Sequence, residues 1–249
     1  MTQAVAARAD HPLNGDAGLI KLAAMVTMLI DHTGAIFFPG VMEMRIIGRI
    51  AFPLYCFGIV MGLAHTRSWQ KYAMRMFIGA LITQPCFMLA LNHQLLELNV
   101  MFTLLLGLLS IVGMREKRWF SHVWAPLVCL VIASLQQMDY GWRGVLLIQL
   151  IYLAQSSRGG LAALMTAFCL YWGSNSQQVG RFFGLVLNAQ SASSGAMAMA
   201  LSFLRLQGLA LLSLPFMIIP TKTGISIPKW LGYSFYPAHL LILGLLRIL

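Results

Sequence analysis

Runs of about 20 apolar residues recur along the chain, and a run of this length is what a helix needs to cross a lipid bilayer. They lie at residues 19–38, 46–64, 72–91, 98–114, 123–138, 143–156, 160–173, 197–219 and 230–249. Only 10% of the 249 residues are charged, against about 25% in a soluble domain. The sequence therefore predicts an all-α polytopic membrane protein with about nine transmembrane helices.

Two parts of the chain need separate treatment. Residues 1–18 are polar and are predicted to form a cytoplasmic tail, ahead of a single membrane domain over residues 19–249. No small-residue cleavage pattern follows the first apolar run, so we expect this run to remain as an anchor. The Ser, Asn and Gln residues between 174 and 194 allow a loop, a re-entrant turn or an additional half-span.

Lys and Arg are divided unevenly between alternate loops, and basic residues resist translocation across the membrane. One side carries Arg8, Lys21, Arg67, Lys71, Arg75, Arg115, Lys117, Arg118, Arg158, Lys222 and Lys229. The other side carries Arg45, Arg49, Arg143, Arg181 and Arg247. The bias predicts a cytoplasmic N-terminus. Because the formal charge of +10 lies largely in these short loops, we expect lipid headgroups and no nucleic acid as the partner.

The four cysteines are predicted to be small buried hydrophobic side chains. Cys56, Cys86, Cys129 and Cys169 all lie within apolar runs, and none forms a CxxC pair with another. This spacing does not favour a zinc site or a thioredoxin-like site, so no metal is expected.

Asp31 and His32 are adjacent ionisable residues in the first apolar run, where each costs about 2.5–3.5 kcal/mol at a helix centre. Neighbouring side chains point about 100° apart on a helix. Turning both of these ionisable side chains toward lipid would cost free energy. A carboxylate paired with an imidazole would provide a base for an incoming nucleophile near neutral pH. The alternative is a packing hydrogen bond, or side chains that extend to the outer membrane surface.

Further polar residues stand at the second and last apolar runs. Arg49 precedes Pro53, which loosens the helix backbone, and the guanidinium is expected to bind either Asp31 or an anionic ligand. Tyr236 and His239 lie on one ridge of the last helix. They are expected either to be satisfied within the protein core or to line a shared polar cavity. Asn99 and Tyr140 supply weaker candidate donors near the outer side, where capping and interface anchoring are the alternatives.

Several segments together resemble the TraX family, which is associated with conjugative transfer. These are IKLAAMVTMLIDHTGAIFFPG, RIIGRIAFPLYCFGIVMG, LNVMFTLLLGLL, DYGWRGVLL and FYPAHLLILGLL. The resemblance runs from about residue 19 to 249 and implies an acyltransferase of the bacterial inner membrane. It further implies N-acetylation of a pilin subunit, with acetyl-CoA as the donor.

Given this resemblance, we expect His32 to act as the general base, with Asp31 supporting it and His239 as a second proton carrier. Arg49, Asn99, Tyr140 and Tyr236 are expected to bind the acyl donor or its oxyanion. Direct transfer is favoured over an acyl-enzyme, since no thiol lies in an activating context. The expected cavity opens to the cytoplasm, where these basic residues hold the donor's phosphates: Arg67, Lys71, Arg75, Arg115, Lys117 and Arg118.

Two other functional classes fit the same residues. In a proton-coupled transporter, Asp31, His32 and His239 would form a proton relay and Arg49 would bind an anionic substrate. In a non-catalytic partner of pilin assembly, the polar residues would only hold helices together.

Overall fold

The computed structural model describes residues 13–182, 184–187, 194–195, 197 and 204–249. Most of these residues are α-helical, as predicted. The α-helices are α1 Ala17–Phe37, α2 Met42–Gly48, α3 Ala51–Ala64, α4 Trp69–Leu91, α5 Val100–Glu116, α6 Ser121–Leu135, α7 Gly141–Ala154, α8 Arg158–Ser174, α9 Leu214–Ile218 and α10 Lys229–Ile248. Short 3-10 helices occupy Arg118–Phe120 and Gly208–Ser213. Two strands, β1 Arg181–Phe182 and β2 Leu185–Val186, pair antiparallel.

Polar residues set the beginnings of four helices. The side chains of Asp16, Ser68, Asn99 and Ser157 each accept a hydrogen bond from a backbone N–H in the first turn of α1, α4, α5 and α8, respectively. Such caps satisfy donors that have no partner within the helix. Polar residues between the apolar runs therefore determine where these helices begin.

Five helical segments of the described chain are long and apolar enough to cross a membrane. They are Ala17–Phe37, Met42–Ala64, Trp69–Leu91, Arg118–Leu135 and Lys229–Ile248. Helices α5, α7 and α8 lie at predicted span positions but have only 17, 14 and 17 residues. At 1.5 Å per residue, a 14-residue helix covers about 21 Å of a hydrocarbon core about 30 Å thick. A membrane protein is supported, while nine full spans remain a prediction.

The last third of the chain differs most from the predicted pattern. Within 174–194, the described residues include the hairpin of β1 and β2. Much of the predicted helix at 197–219 lies outside the described residues, as does most of the tail at 1–18. From residue 204 onward, that predicted helix is replaced by a bridge between Gln178 and Arg205, the 3-10 helix Gly208–Ser213, and α9.

The helices form one bundle. Helix α3 packs against α1, α5 and α7, while α10 packs between α1 and α4. The core between α3, α5, α7 and α8 is apolar and contains Phe57, Leu108, Ile148 and Met165, all fully buried. The polar residues of α1 and α10 are therefore brought together beside this core.

Candidate functional site

A pocket of about 590 Å³ lies at the end of the bundle where α1 and α4 end and α7 begins. Its volume falls within the usual range for small-molecule sites. Six of its polar lining residues are Asp31, His32, Arg45, Arg49, Asp139 and Tyr140. The first two runs and the turn before α7 thus contribute to one site, although they are far apart in sequence.

Asp31 is paired with arginines. Arg49 Nη2 donates to both carboxylate oxygens, at 2.8 and 2.9 Å, and Arg45 Nη1 lies 2.9 Å from Oδ1. Arg49 Nε also donates to the Arg45 carbonyl at 3.1 Å. Of the two partners expected for Arg49, Asp31 and an anionic ligand, the structure shows Asp31. Most hydrogen-bond donors of the Arg49 guanidinium are therefore already engaged.

The junction between α2 and α3 allows this ion pair to form. The predicted helix at 46–64 is interrupted at Arg49, which ends α2, and α3 begins at Ala51. A Cβ atom at Gly48 would overlap the Asp31 side chain. Glycine therefore permits α2 to approach α1 closely enough for the arginine fork to meet the carboxylate.

His32 contacts His239 and not Asp31. Its Nδ1 lies 2.7 Å from His239 Nε2, with the two rings stacked at a centroid distance of 5.0 Å. His239 Nδ1 lies 2.7 Å from the Phe235 carbonyl oxygen. No direct Asp31 to His32 hydrogen bond is present in the described chain, and the side chain that hydrogen-bonds the His32 imidazole is that of His239.

The carbonyl of Phe235 fixes the direction of this hydrogen-bond chain. A carbonyl only accepts, so His239 Nδ1 must carry a proton and donate it. In the neutral pair His239 Nε2 then accepts from His32 Nδ1–H. His32 Nε2 is left with a lone pair, and among the described contacts nothing hydrogen-bonds it. His32 lines the pocket, whereas His239 lies behind it and is buried.

Tyr236 adds a hydroxyl to the same region. Its ring centroid lies 6.1 Å from that of His32 and 5.7 Å from that of His239. The hydroxyl is buried, and no atom of the described chain meets hydrogen-bonding distance and angle with it. Buried polar atoms without a partner are rare in native proteins. The Tyr236 hydroxyl is therefore a hydrogen-bond donor available to a ligand.

The turn before α7 is held by two hydrogen bonds and contributes Asp139 to the pocket lining. Its backbone N–H donates to the Leu98 carbonyl at 2.9 Å, and its carbonyl accepts from Thr103 Oγ1. Burial raises the pKa of the Asp139 carboxyl to about 6, opposed by the charge of Arg49. Asp139 was not among the predicted site residues; the signal for it was its place in the DYGWRG turn.

Tyr140 forms one wall of the pocket. It has a positive φ of 65°, a backbone conformation that bulky residues rarely adopt. Its ring stacks on Phe52 at 3.7 Å between centroids, and Trp172 meets both rings edge-on. Packing of the aromatic side chains therefore accompanies the strained backbone and places Tyr140 at the pocket wall, while its binding of an acyl donor stays a prediction.

Asn99 is not part of this pocket. It is fully buried, and its amide nitrogen donates to the Ala80 carbonyl and to Gln84 Oε1. Its side-chain oxygen caps α5 by accepting from Met101 N–H. Asn99 was predicted to bind the acyl donor or its oxyanion. The structure instead shows the alternative, in which Asn99 caps a helix.

The basic loops also lie away from the pocket. No residue among the predicted phosphate ligands Arg67, Lys71, Arg75, Arg115, Lys117 and Arg118 lines it. Arg115 instead donates to the Leu63 carbonyl, and Arg75 to the Tyr233 hydroxyl. The pocket of about 590 Å³ is at the opposite ends of the helices, so none of these six basic side chains stands at its mouth.

Comparison with known proteins gives a family match over nearly the whole chain. The model of the TraX protein family matches residues 16–247. The chain is similar to a probable fimbrial assembly protein, FimC of Dichelobacter nodosus, at 27% identity over 90% of this chain and 92% of that protein. It is also similar to Protein TraX of Escherichia coli, at 26% identity over 94% of this chain and 88% of that protein.

Another similar protein is an uncharacterized protein of Rickettsia prowazekii. It is 32% identical over 149 residues, and the match spans 57% of each chain. No solved structure matches this chain.

Proposed function

The chain belongs to the TraX family, and on that premise we propose that it is a membrane acyltransferase. It transfers an acetyl group from acetyl-CoA to the N-terminal amine of a conjugative pilin subunit. The observation that carries this proposal is the directed hydrogen-bond chain from the Phe235 carbonyl through His239 to His32. Such a chain leaves an unshared lone pair on His32 Nε2 at a pocket wall, and amide formation requires a proton acceptor there.

His32 Nε2 is the general base in this proposal. It removes a proton from the amine as the amine attacks the thioester carbonyl. The new C–N bond forms and the C–S bond then breaks. The protonated His32 returns its proton to the departing sulfur, so the products are the acetylated amine and free CoA. His239 holds the imidazole in the required tautomer, in the manner of an orienting partner behind a catalytic histidine.

Tyr236 is the donor for the oxyanion that develops on the thioester carbonyl. Its O–H donates to no atom of the described chain, so donating to an oxyanion breaks no existing hydrogen bond. One positioned donor of this kind typically contributes about 10²- to 10³-fold in rate. Arg49 and Asn99 are unsuited to this role because their donors are held by Asp31 and by α4.

In this proposal the aromatic side of the pocket contacts the acetyl group and the aliphatic arm of acetyl-CoA. Phe52, Tyr140 and Trp172 line one side of the pocket, and apolar surface suits a methyl group and an aliphatic chain. With the N-terminus in the cytoplasm of a bacterial inner membrane, the pocket lies in the outer half of the bilayer. The pilin amine would then enter from the outer side.

Acetyl transfer is tested with the purified chain in proteoliposomes that contain a pilin subunit and acetyl-CoA with a labelled acetyl group. The expected product is pilin whose N-terminal amine carries the label, as measured by mass spectrometry of its N-terminal peptide. Liposomes without the chain are the control. Absence of labelled pilin, with folded protein present, contradicts the proposal.

A proton-coupled transporter is the second candidate, favoured by the same 2.7 Å contact between His32 and His239. Two hydrogen-bonded imidazoles can pass a proton across a membrane interior. Proton uptake into vesicles that lack acetyl-CoA would support this function. Uptake that is absent, together with labelled pilin, would exclude it.

A non-catalytic role in pilin assembly is the third candidate, and the name of the Dichelobacter nodosus relative favours it. In that role the polar residues would only join helices. Pilin binding that survives replacement of both histidines, without any labelled product from the unaltered chain, would support it.

A further inference from the structure

A second pocket lies on the outside of the bundle, between the first half of α4 and the first half of α10. Its volume is about 350 Å³. The groove residues on α4 are Arg75, Ile78, Gly79 and Ile82, and those on α10 are Trp230, Tyr233, Ser234 and Pro237. Both helices begin at this end, which is the end opposite the pocket described above.

The groove is apolar along its length and open to the surroundings of the bundle. Ile78, Ile82 and Trp230 have exposed fractions of 49%, 58% and 70%. In a membrane these surfaces face acyl chains. An apolar groove between two such helices can hold one acyl chain.

Arg75 gives the groove a positive charge at one end. Its Nε donates to the Tyr233 hydroxyl at 3.3 Å, and its guanidinium lies 5.9 and 6.0 Å from the ring centroids of Tyr72 and Tyr233. In the described part of the chain no carboxylate lies within ion-pair distance of Arg75. The aromatic rings therefore fix the direction of a guanidinium whose terminal nitrogens remain available to an anion.

Arg75 lies in the N-terminal half of α4, from which a long basic side chain can extend toward the lipid phosphates. It lies in the second turn of α4, and Trp230 lies in the first turn of α10. Aromatic and basic residues are enriched at this level, where headgroups meet the hydrocarbon core. The exposed Lys71 and Lys229 at the same helix ends add positive charge and favour a headgroup with a net negative charge.

We infer that this groove between α4 and α10 is a binding site for one anionic phospholipid, with its phosphate on Arg75 and one acyl chain between the two helices. Ser234 supplies a hydroxyl within the same groove. The site is separate from the proposed acetyl transfer and does not depend on it. It would also join α4 to the helix that carries His239.

The inference is tested by native mass spectrometry of the purified full chain, titrated with phosphatidylglycerol or with phosphatidylcholine. The unaltered chain is expected to bind one phosphatidylglycerol about tenfold more tightly than phosphatidylcholine. Arg75→Gln is expected to lose about tenfold in phosphatidylglycerol affinity, as removal of a charge-assisted contact typically does. Ser234→Phe, which keeps the charge but fills the groove, is expected to weaken both lipids.

Arg67→Gln is the matched control, because Arg67 lies in the preceding loop and does not line the groove. It removes the same charge and is expected to leave phosphatidylglycerol binding unchanged. Equal losses in Arg67→Gln and Arg75→Gln would overturn the inference, since they would show only general attraction to charge. Displacement of the lipid by millimolar inorganic phosphate would also overturn it, because a site for a whole lipid holds the chain as well.

Discussion

Replacing His239 tests whether this residue orients His32 for catalysis or only stabilises the fold. His239 is buried behind the pocket, between the Phe235 carbonyl and His32. His239→Leu removes the acceptor for His32 Nδ1–H while keeping an apolar side chain of similar size. His239→Gln can retain the polarity of the chain, because its amide can donate to Phe235 and its carbonyl oxygen can accept from His32.

The expected magnitudes follow from the role of the chain. Without His239 as acceptor, His32 can place its proton on either nitrogen and rotate, and the base at the pocket wall is lost for most of the time. General base catalysis contributes typically about 10²- to 10⁴-fold. We expect His239→Leu to lower kcat by about 10²- to 10³-fold, which corresponds to about 3–4 kcal/mol of activation free energy. His239→Gln should remain within about tenfold of the unaltered chain.

The assay measures the rate of label transfer from acetyl-CoA to pilin as a function of pH. A change in the tautomer of His32 affects kcat and the pH profile and leaves KM for acetyl-CoA nearly unchanged. Thermal unfolding of each variant in the same detergent provides the control for folding.

Two results would refute this reasoning. One is a His239→Leu variant with normal kcat and an unaltered pH profile. The other is equal loss in His239→Leu and His239→Gln with unchanged stability, since the direction of the hydrogen-bond chain would then be irrelevant.

Three further predictions follow from the same contacts. Tyr236→Phe should lower kcat about 10²- to 10³-fold without loss of thermal stability, because the O–H donates to no atom of the described chain; a fall in melting temperature would show that the hydroxyl is structural. Gly48→Ala should lower the melting temperature, because its Cβ overlaps Asp31; Gly40→Ala, where a Cβ meets no atom within 4 Å, is the control. The pKa of Asp139 is raised from 3.8 to about 6, so the contribution of this carboxyl to folding stability is largest below about pH 4 and falls by at most about 3 kcal/mol as the pH rises through 6. Asp139→Asn should remove this slope in denaturant titrations between pH 4 and 7, and an unchanged slope would contradict the assignment.

The strongly apolar segments could be predicted from the sequence because helix length and lipid thickness are simply related. Helices α1, α4 and α10 lie close to the predicted 19–38, 72–91 and 230–249. The region after Gly173 was harder, since its apolar runs are mixed with Ser, Asn and Gln. From residue 204 the chain uses 3-10 turns and a five-residue helix in place of one long helix.

The residues of the site could be predicted from the sequence better than the contacts between them. Costly polar side chains in the first, second and last runs do converge, because burial of such groups requires partners. Spacing gives no information about which of them touch across 207 residues, as His32 and His239 do. The neighbours Asp31 and His32 suggested a pair, but their 100° separation directs one to the arginines and the other to α10.

The most direct measurement of the central claim compares the unaltered chain with His32→Ala, both shown to be folded, for transfer of labelled acetyl from acetyl-CoA to the pilin N-terminus. The account predicts labelled pilin with the unaltered chain and none above background with His32→Ala. Equal labelling by both proteins would contradict the assignment of His32 as the base, and no labelling by either would contradict the proposed activity itself.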